Sequence, residues 1–176
     1  ENLKKIGVEN IPAKFKEVAE KRILLDNANN IKKVKYNDKI LHQSKIIKFY
    51  LENEEQKKIQ KDIDKIFKKI NKNKKYFYSA KDLALVDSLV KDGFKIPENF
   101  KRMELAAKYE VPKNLLQLIE KKQNAFLALK IVEIIGEDEP HQLDPETIYF
   151  ITNLLNEMDL IRLRNIVLTS ALPQRV

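Results

Sequence analysis

The sequence predicts an all-α fold, either antiparallel helix pairs stacked as a short α-solenoid or an irregular helical bundle. Three observations predict it. Apolar residues recur at three- and four-residue spacing along nearly the whole chain, which is the period of a helix face. Alternating, strand-like runs are confined to VKY at 34–36 and YFY at 76–78, too short to count. The three glycines, Gly7, Gly93 and Gly136, fall where helices should start or stop.

A first helix is expected over 11–28, with Asn10 as N-cap and Pro12 in the first turn, where its missing N–H is not needed. NANN at 27–30 ends it. A second, over 38–52, carries Ile40, Ile46, Ile47, Tyr50 and Leu51 on a wide apolar arc and should be well buried. A third, over 54–71, carries the ladder Ile59, Ile63, Ile66, Phe67 and Ile70. The fourth begins after Ser79, carries Leu83, Leu85, Val86, Leu89 and Val90, and stops at Asp92–Gly93. Pro97 opens a fifth with Phe100, Met103, Leu105, Ala106 and Tyr109. VPKN at 111–114 starts a short sixth with Leu115, Leu116, Leu118 and Ile119. The seventh, over 123–135, is apolar nearly all round and is expected to be central; Gly136 ends it. LDPET at 143–147 is a strong helix start, with Asp144 as N-cap, Pro145 at the first position and Glu146 in the positive first turn. That eighth helix carries Ile148, Ile151, Leu154, Leu155 and Met158. After a tight turn near Asp159, a ninth carries Leu163, Ile166, Val167 and Leu168, and Pro173 ends it.

The first helices of successive pairs start near 10, 43, 79, 112 and 144, in steps of 33, 36, 33 and 32 residues. Residues 144–173 run helix, short turn, helix, proline. Over 79–173 this layout resembles the tetratricopeptide-like helical repeats. The start near 43 falls inside an expected helix rather than at its cap, and the family's Trp–Leu–Gly–Tyr pattern is missing. The resemblance implies stacked antiparallel helix pairs with extended grooves, and no particular partner.

With 176 residues the chain is long enough to bury a core without disulfide or metal. It reads as one helical domain with a basic first half, 1–78, and a helical-hairpin second half, 79–173. There is no cysteine, which excludes disulfides, cysteine-ligated zinc, iron–sulfur clusters and thiol nucleophiles, and leaves the compartment open. The chain opens on Glu1 and so reads as a fragment or processed form. The longest apolar run, 125–135, is interrupted by Lys130 and Glu133, too short and too charged for a membrane span.

The net charge of +8 divides into about +10 over 1–80 and about −2 over 81–176. Such asymmetry can mark an anionic partner. Only five arginines occur, at 22, 102, 162, 164 and 175, so lysine is the default surface cation here. Readers of phosphates and bases commonly use the arginine fork as well.

Little in the sequence suggests catalysis. His42 reads as a partly exposed structural histidine. His141 lies in the acidic stretch 136–146, whose spacing is not that of a calcium loop; it reads as a solvated loop plus an N-cap, with a cation site or an acidic contact for a basic partner as alternatives. The serines at 44, 79, 88 and 170 match no acyl-transfer motif, and no glycine-rich phosphate loop is present. The expectation is therefore no catalytic, cofactor or metal site. The best functional reading is a non-enzymatic scaffold that binds another protein. Nucleic-acid binding through the basic half, or an accessory role within a larger enzyme, are the alternatives.

The candidate contacts for nucleic acid lie in the third helix and just beyond it: Lys57, Lys58, Lys61, Lys65, Lys68, Lys69, Lys72, Lys74, Lys75, Tyr76 and Tyr78. On a helical wheel the lysines oppose the Ile59–Ile70 ladder, so the plain reading is the water side of an amphipathic helix. Basic residues beside aromatics also suit single-stranded nucleic acid, although aromatics at a helix junction more often fill a core. A membrane surface is disfavoured, because the apolar side of the helix is needed by the core.

Overall fold

The computed structural model describes residues 34–98, 100, 104, 106, 107, 109, 113–121, 123–172, 174 and 175. The helix expected over 11–28 lies outside these residues, as does most of the one expected after Pro97. The chain divides into two units, 1–34 with 175–176 and 35–174. All described residues but Val34 and Arg175 belong to the second.

The described fold is all-α. Its helices are α1 (Lys48–Leu51), α2 (Gln56–Asn71), α3 (Ala80–Lys91), α4 (Lys113–Glu120), α5 (Asn124–Ile135), α6 (Pro145–Glu157) and α7 (Ile161–Ala171). Extended pairing among the described residues is limited to the two-residue strands Val34–Lys35 and Gln174–Arg175. Helices α3, α4 and α6 are described from Ala80, Lys113 and Pro145, next to the helix starts expected near 79, 112 and 144.

Helix α3 is the central element, with Leu83, Ala84, Leu85, Val86, Ser88 and Leu89 all buried. It packs against α6, and α6 against α7. Its start is a capping box. Ser79 Oγ accepts from the Asp82 N–H at 3.3 Å, and an Asp82 carboxylate oxygen accepts from the Ser79 N–H at 3.0 Å. Its end is a paired left-handed cap: the Gly93 N–H reaches the Val90 carbonyl and the Phe94 N–H reaches the Leu89 carbonyl, with Gly93 at φ 86°.

Three expectations are corrected. First, residues 38–52 are not one helix. Two 3₁₀ turns, Leu41–Gln43 and Lys45–Ile47, precede the single turn of α1, and Ser44 between them is extended. The cause is tertiary. The Leu41 N–H donates to the Tyr76 hydroxyl at 2.9 Å and the His42 N–H to Asp82 at 3.0 Å, while the Ser44 hydroxyl donates to the Leu41 carbonyl at 2.6 Å. Backbone groups that a continuous helix would use are engaged elsewhere. Second, the apolar helix at 123–135 is not central. Only Leu127 and Ile131 of α5 are buried. Third, α7 turns Arg164, Val167, Leu168 and Ala171 inward, leaving Leu163 and Ile166 exposed. The buried set keeps i, i+3, i+4, i+7 spacing, so a charged residue holds a position on the core-facing stripe.

Arg164 can be buried because its donors are satisfied. Nη1 reaches Asn156 Oδ1 at 2.9 Å, Nε reaches Asn165 Oδ1 at 3.0 Å, and Nη2 reaches both Asp92 oxygens at 2.8 and 2.7 Å. The Tyr50 hydroxyl donates to the same carboxylate at 2.6 Å, and its ring lies under the guanidinium. One side chain thus joins α1, α3, α6 and α7. Burial, then the Asp92 charge, push the Tyr50 phenol well above its ordinary range.

Candidate interaction surfaces

Helix α2 is amphipathic as its sequence dictates. Ile59, Ile63, Ile66, Phe67 and Ile70 are buried, and Lys57, Lys58, Lys61, Lys65, Lys68, Lys69, Lys72, Lys74 and Lys75 are all exposed. Two of these lysines have acidic neighbours: Lys58 with Glu54 at 3.1 Å and Glu55 at 3.9 Å, and Lys69 with Asp38 at 3.5 Å. The Glu54 carboxylate raises the Lys58 ammonium pKa. Lys57, Lys61, Lys65, Lys68, Lys72, Lys74 and Lys75 have no ion-pair partner among the described residues. Lys61, Lys65, Lys68 and Lys72 form one stripe spanning about 16 Å at the helical rise of 1.5 Å per residue.

Beyond α2 a turn through Lys72–Lys75 leads into residues 76–79, where exposure alternates: Tyr76 and Tyr78 are half-buried and Phe77 is exposed. Tyr76 and Tyr78 turn inward. The Tyr76 hydroxyl accepts from the Leu41 N–H and donates to Asp82 at 3.0 Å. The Tyr78 ring meets Tyr76 and Phe100 edge-on at 4.9 and 4.8 Å, and its hydroxyl donates to Asn71 at 3.2 Å. Burial, then the Asp82 charge, raise both phenols above their ordinary range. Phe77, between them, faces outward and is 77% exposed. The sequence places all three aromatics of 76–78 beside the lysines and singles out the two tyrosines as candidate contacts, leaving out Phe77, the one the structure exposes. The signal that could have found it is the short alternating run YFY, which sets the middle ring opposite its two neighbours.

Asp82 gathers a second polar cluster. Its carboxylate takes hydrogen bonds from the Ser79 and His42 N–H groups and from Tyr76, and His42 Nδ1 lies 2.7 Å away. The imidazole is thereby held in one orientation. His141 is exposed in the acidic loop, 3.2 Å from Glu139. Among the described residues, no group of three or more His, Asp or Glu is placed to hold a metal ion. No helix among them is long and apolar enough to cross a membrane.

The outer side of α5 is an apolar strip. Phe126, Leu129 and Val132 are 49%, 67% and 63% exposed. Ala125, Leu129 and Val132 share one line at i, i+4, i+7 spacing. Glu133 and Lys130 flank the strip and pair with each other at 2.7 Å. The helix ends at Gly136, at φ 59°, and the exposed carboxylates of Glu137, Asp138 and Glu139 follow. A second, shallow depression of about 490 Å³ lies between α1 and α7, lined by Tyr50, Ile161, Arg162, Asn165, Ile166 and Thr169.

Comparison with protein-family models, curated proteins and solved structures finds no match.

Proposed function

We propose that the chain is a non-enzymatic helical module that binds another protein through the outer side of α5. The observation that carries this reading is the line of Ala125, Leu129 and Val132 beside Phe126, left in water by a helix that buries only two residues. Contiguous exposed apolar surface is expensive to maintain and commonly marks an interaction site. The spacing suits a partner helix laid along the strip. Charge selects the kind of helix. Glu137, Asp138 and Glu139, with the negative end of the α5 dipole, favour a partner that carries lysine or arginine beside its apolar residues. Stacking of helix pairs in the tetratricopeptide-like manner belongs to the same proposal. It is supported by the starts at Ala80, Lys113 and Pro145, and it would place such a strip on an extended surface.

The test is calorimetric titration of the chain with two helical peptides that share one leucine stripe, the first flanked by lysine and the second by glutamate. The lysine peptide is expected to bind at least tenfold more tightly, and Leu129→Ser with Val132→Ser to abolish the difference. Equal binding of both peptides, or binding unaffected by the double substitution, overturns the proposal.

A further inference from the structure

We propose that the outer side of α2 and the exposed ring of Phe77 form a binding site for single-stranded nucleic acid, separate from the protein-binding strip on α5. A lysine face alone is explained by solvation of an amphipathic helix. That explanation accounts for Lys61, Lys65, Lys68 and Lys72, and it does not account for Phe77. A phenylalanine that is 77% exposed buries almost nothing in the fold. It directly follows Lys74, Lys75 and Tyr76 in the chain, and neither lysine has an ion-pair partner among the described residues.

The backbone that carries the ring is also held in place. The two neighbours of Phe77 are fixed, Tyr76 by Leu41 and Asp82, and Tyr78 by Asn71, Tyr76 and Phe100. Phe77 therefore projects from an anchored backbone, so little ordering is required when a base stacks on it. Sequence-tolerant binders of single strands combine these two parts, a cationic track for phosphates and an aromatic platform for a base. A duplex would meet the lysines and leave the ring unused, because its bases are already stacked. An anionic bilayer would use the lysines with Phe77 as a single shallow anchor; that source of negative charge is separated by the experiment.

The experiment is fluorescence anisotropy of the folded chain with labelled oligouridine and oligothymidine of about 12 nucleotides, a duplex of equal length, and phosphatidylserine vesicles, each over a salt series. Single strands are expected to bind more tightly than the duplex, with affinity falling steeply in salt. Changing Lys61, Lys65, Lys68 and Lys72 together to Gln should reduce the salt slope by about 3. Phe77→Ser should weaken binding by roughly tenfold, with an unchanged salt slope and melting temperature, and Phe77→Tyr should retain the affinity. The proposal is overturned if the single strands do not bind at low salt, if Phe77→Ser binds as tightly as the parent, or if its loss of affinity comes with a lower melting temperature. Tighter binding to the duplex or the vesicles than to the single strands overturns it equally.

Discussion

Arg164 Nη2 lies 2.7 Å from Asp92 Oδ2, with the guanidinium fully buried and Asp92 at the C-cap of α3. The arrangement places the cation at the negative end of a helix, where Nη1 also approaches the Ser88 carbonyl at 3.4 Å. Removing Arg164 leaves the Asp92 carboxylate, 11% exposed, with the Tyr50 hydroxyl but without its counter-charge. Arg164→Ala should therefore destabilise by about 3–5 kcal/mol in urea denaturation. Arg164→Lys should also be costly, because a lysine cannot serve Asn156, Asn165 and Asp92 together. Tyr50→Phe should cost only about 1 kcal/mol. An Arg164→Ala variant as stable as the parent would refute this account.

Neighbouring aromatics at 76 and 77 should respond in opposite ways. Tyr76→Phe removes the acceptor of the Leu41 N–H and a donor to Asp82, for a loss of about 1–3 kcal/mol. Phe77→Ser should stay within about 0.5 kcal/mol. Thermal melts of the two variants check the contrast.

Alkaline pH should unfold the protein from the tyrosines. Tyr36, Tyr50, Tyr76 and Tyr78 all have raised pKa values, mainly through burial. The unfolded chain ionises its tyrosines near pH ~10, before the folded one does. Stability from this source is thus fully present below that pH and is lost as pH rises above it. Absorbance titration at 295 nm should show these phenolates appearing together with loss of helical circular dichroism.

Asp144 gives the acid counterpart. It caps α6, taking the Thr147 hydroxyl at 2.6 Å and the Thr147 N–H at 2.8 Å, and these bonds lower its pKa. The stabilisation is present above the unfolded value near pH ~4 and disappears as pH falls through the lower folded value. Asp144→Ala should cost about 1 kcal/mol at pH 7, and the cost should shrink as pH falls below the unfolded value near pH ~4, measured by denaturant midpoints.

Within α5, burial rather than residue type should decide the outcome. Leu127→Ala empties a fully buried site and should cost about 2–5 kcal/mol. Leu129→Ser, two residues on, should leave the denaturation midpoint within about 0.5 kcal/mol of the parent.

Local signals that act within a few residues were legible in the sequence. The all-α class, the α2 ladder, the Ser79 and Asp144 starts and the Gly93 and Gly136 stops all follow from helical periodicity and from backbone groups left unpaired at helix ends. So did the solvent side of α2, because its lysines oppose a continuous apolar ladder. Tertiary structure decided what depends on distant partners. Tyr76 and Asp82 draw the N–H groups of Leu41 and His42 out of a helix whose pattern is otherwise helical. Asp92, 72 residues back along the chain, and Asn156 on the neighbouring helix are what allow Arg164 inside, and its entry leaves Leu163 and Ile166 outside. Helix α5 is the clearest case. A helix apolar nearly all round has several sides it could bury, and periodicity cannot choose among them; only the packing of the other helices determined that Leu127 and Ile131 would be covered and that Phe126, Leu129 and Val132 would meet water.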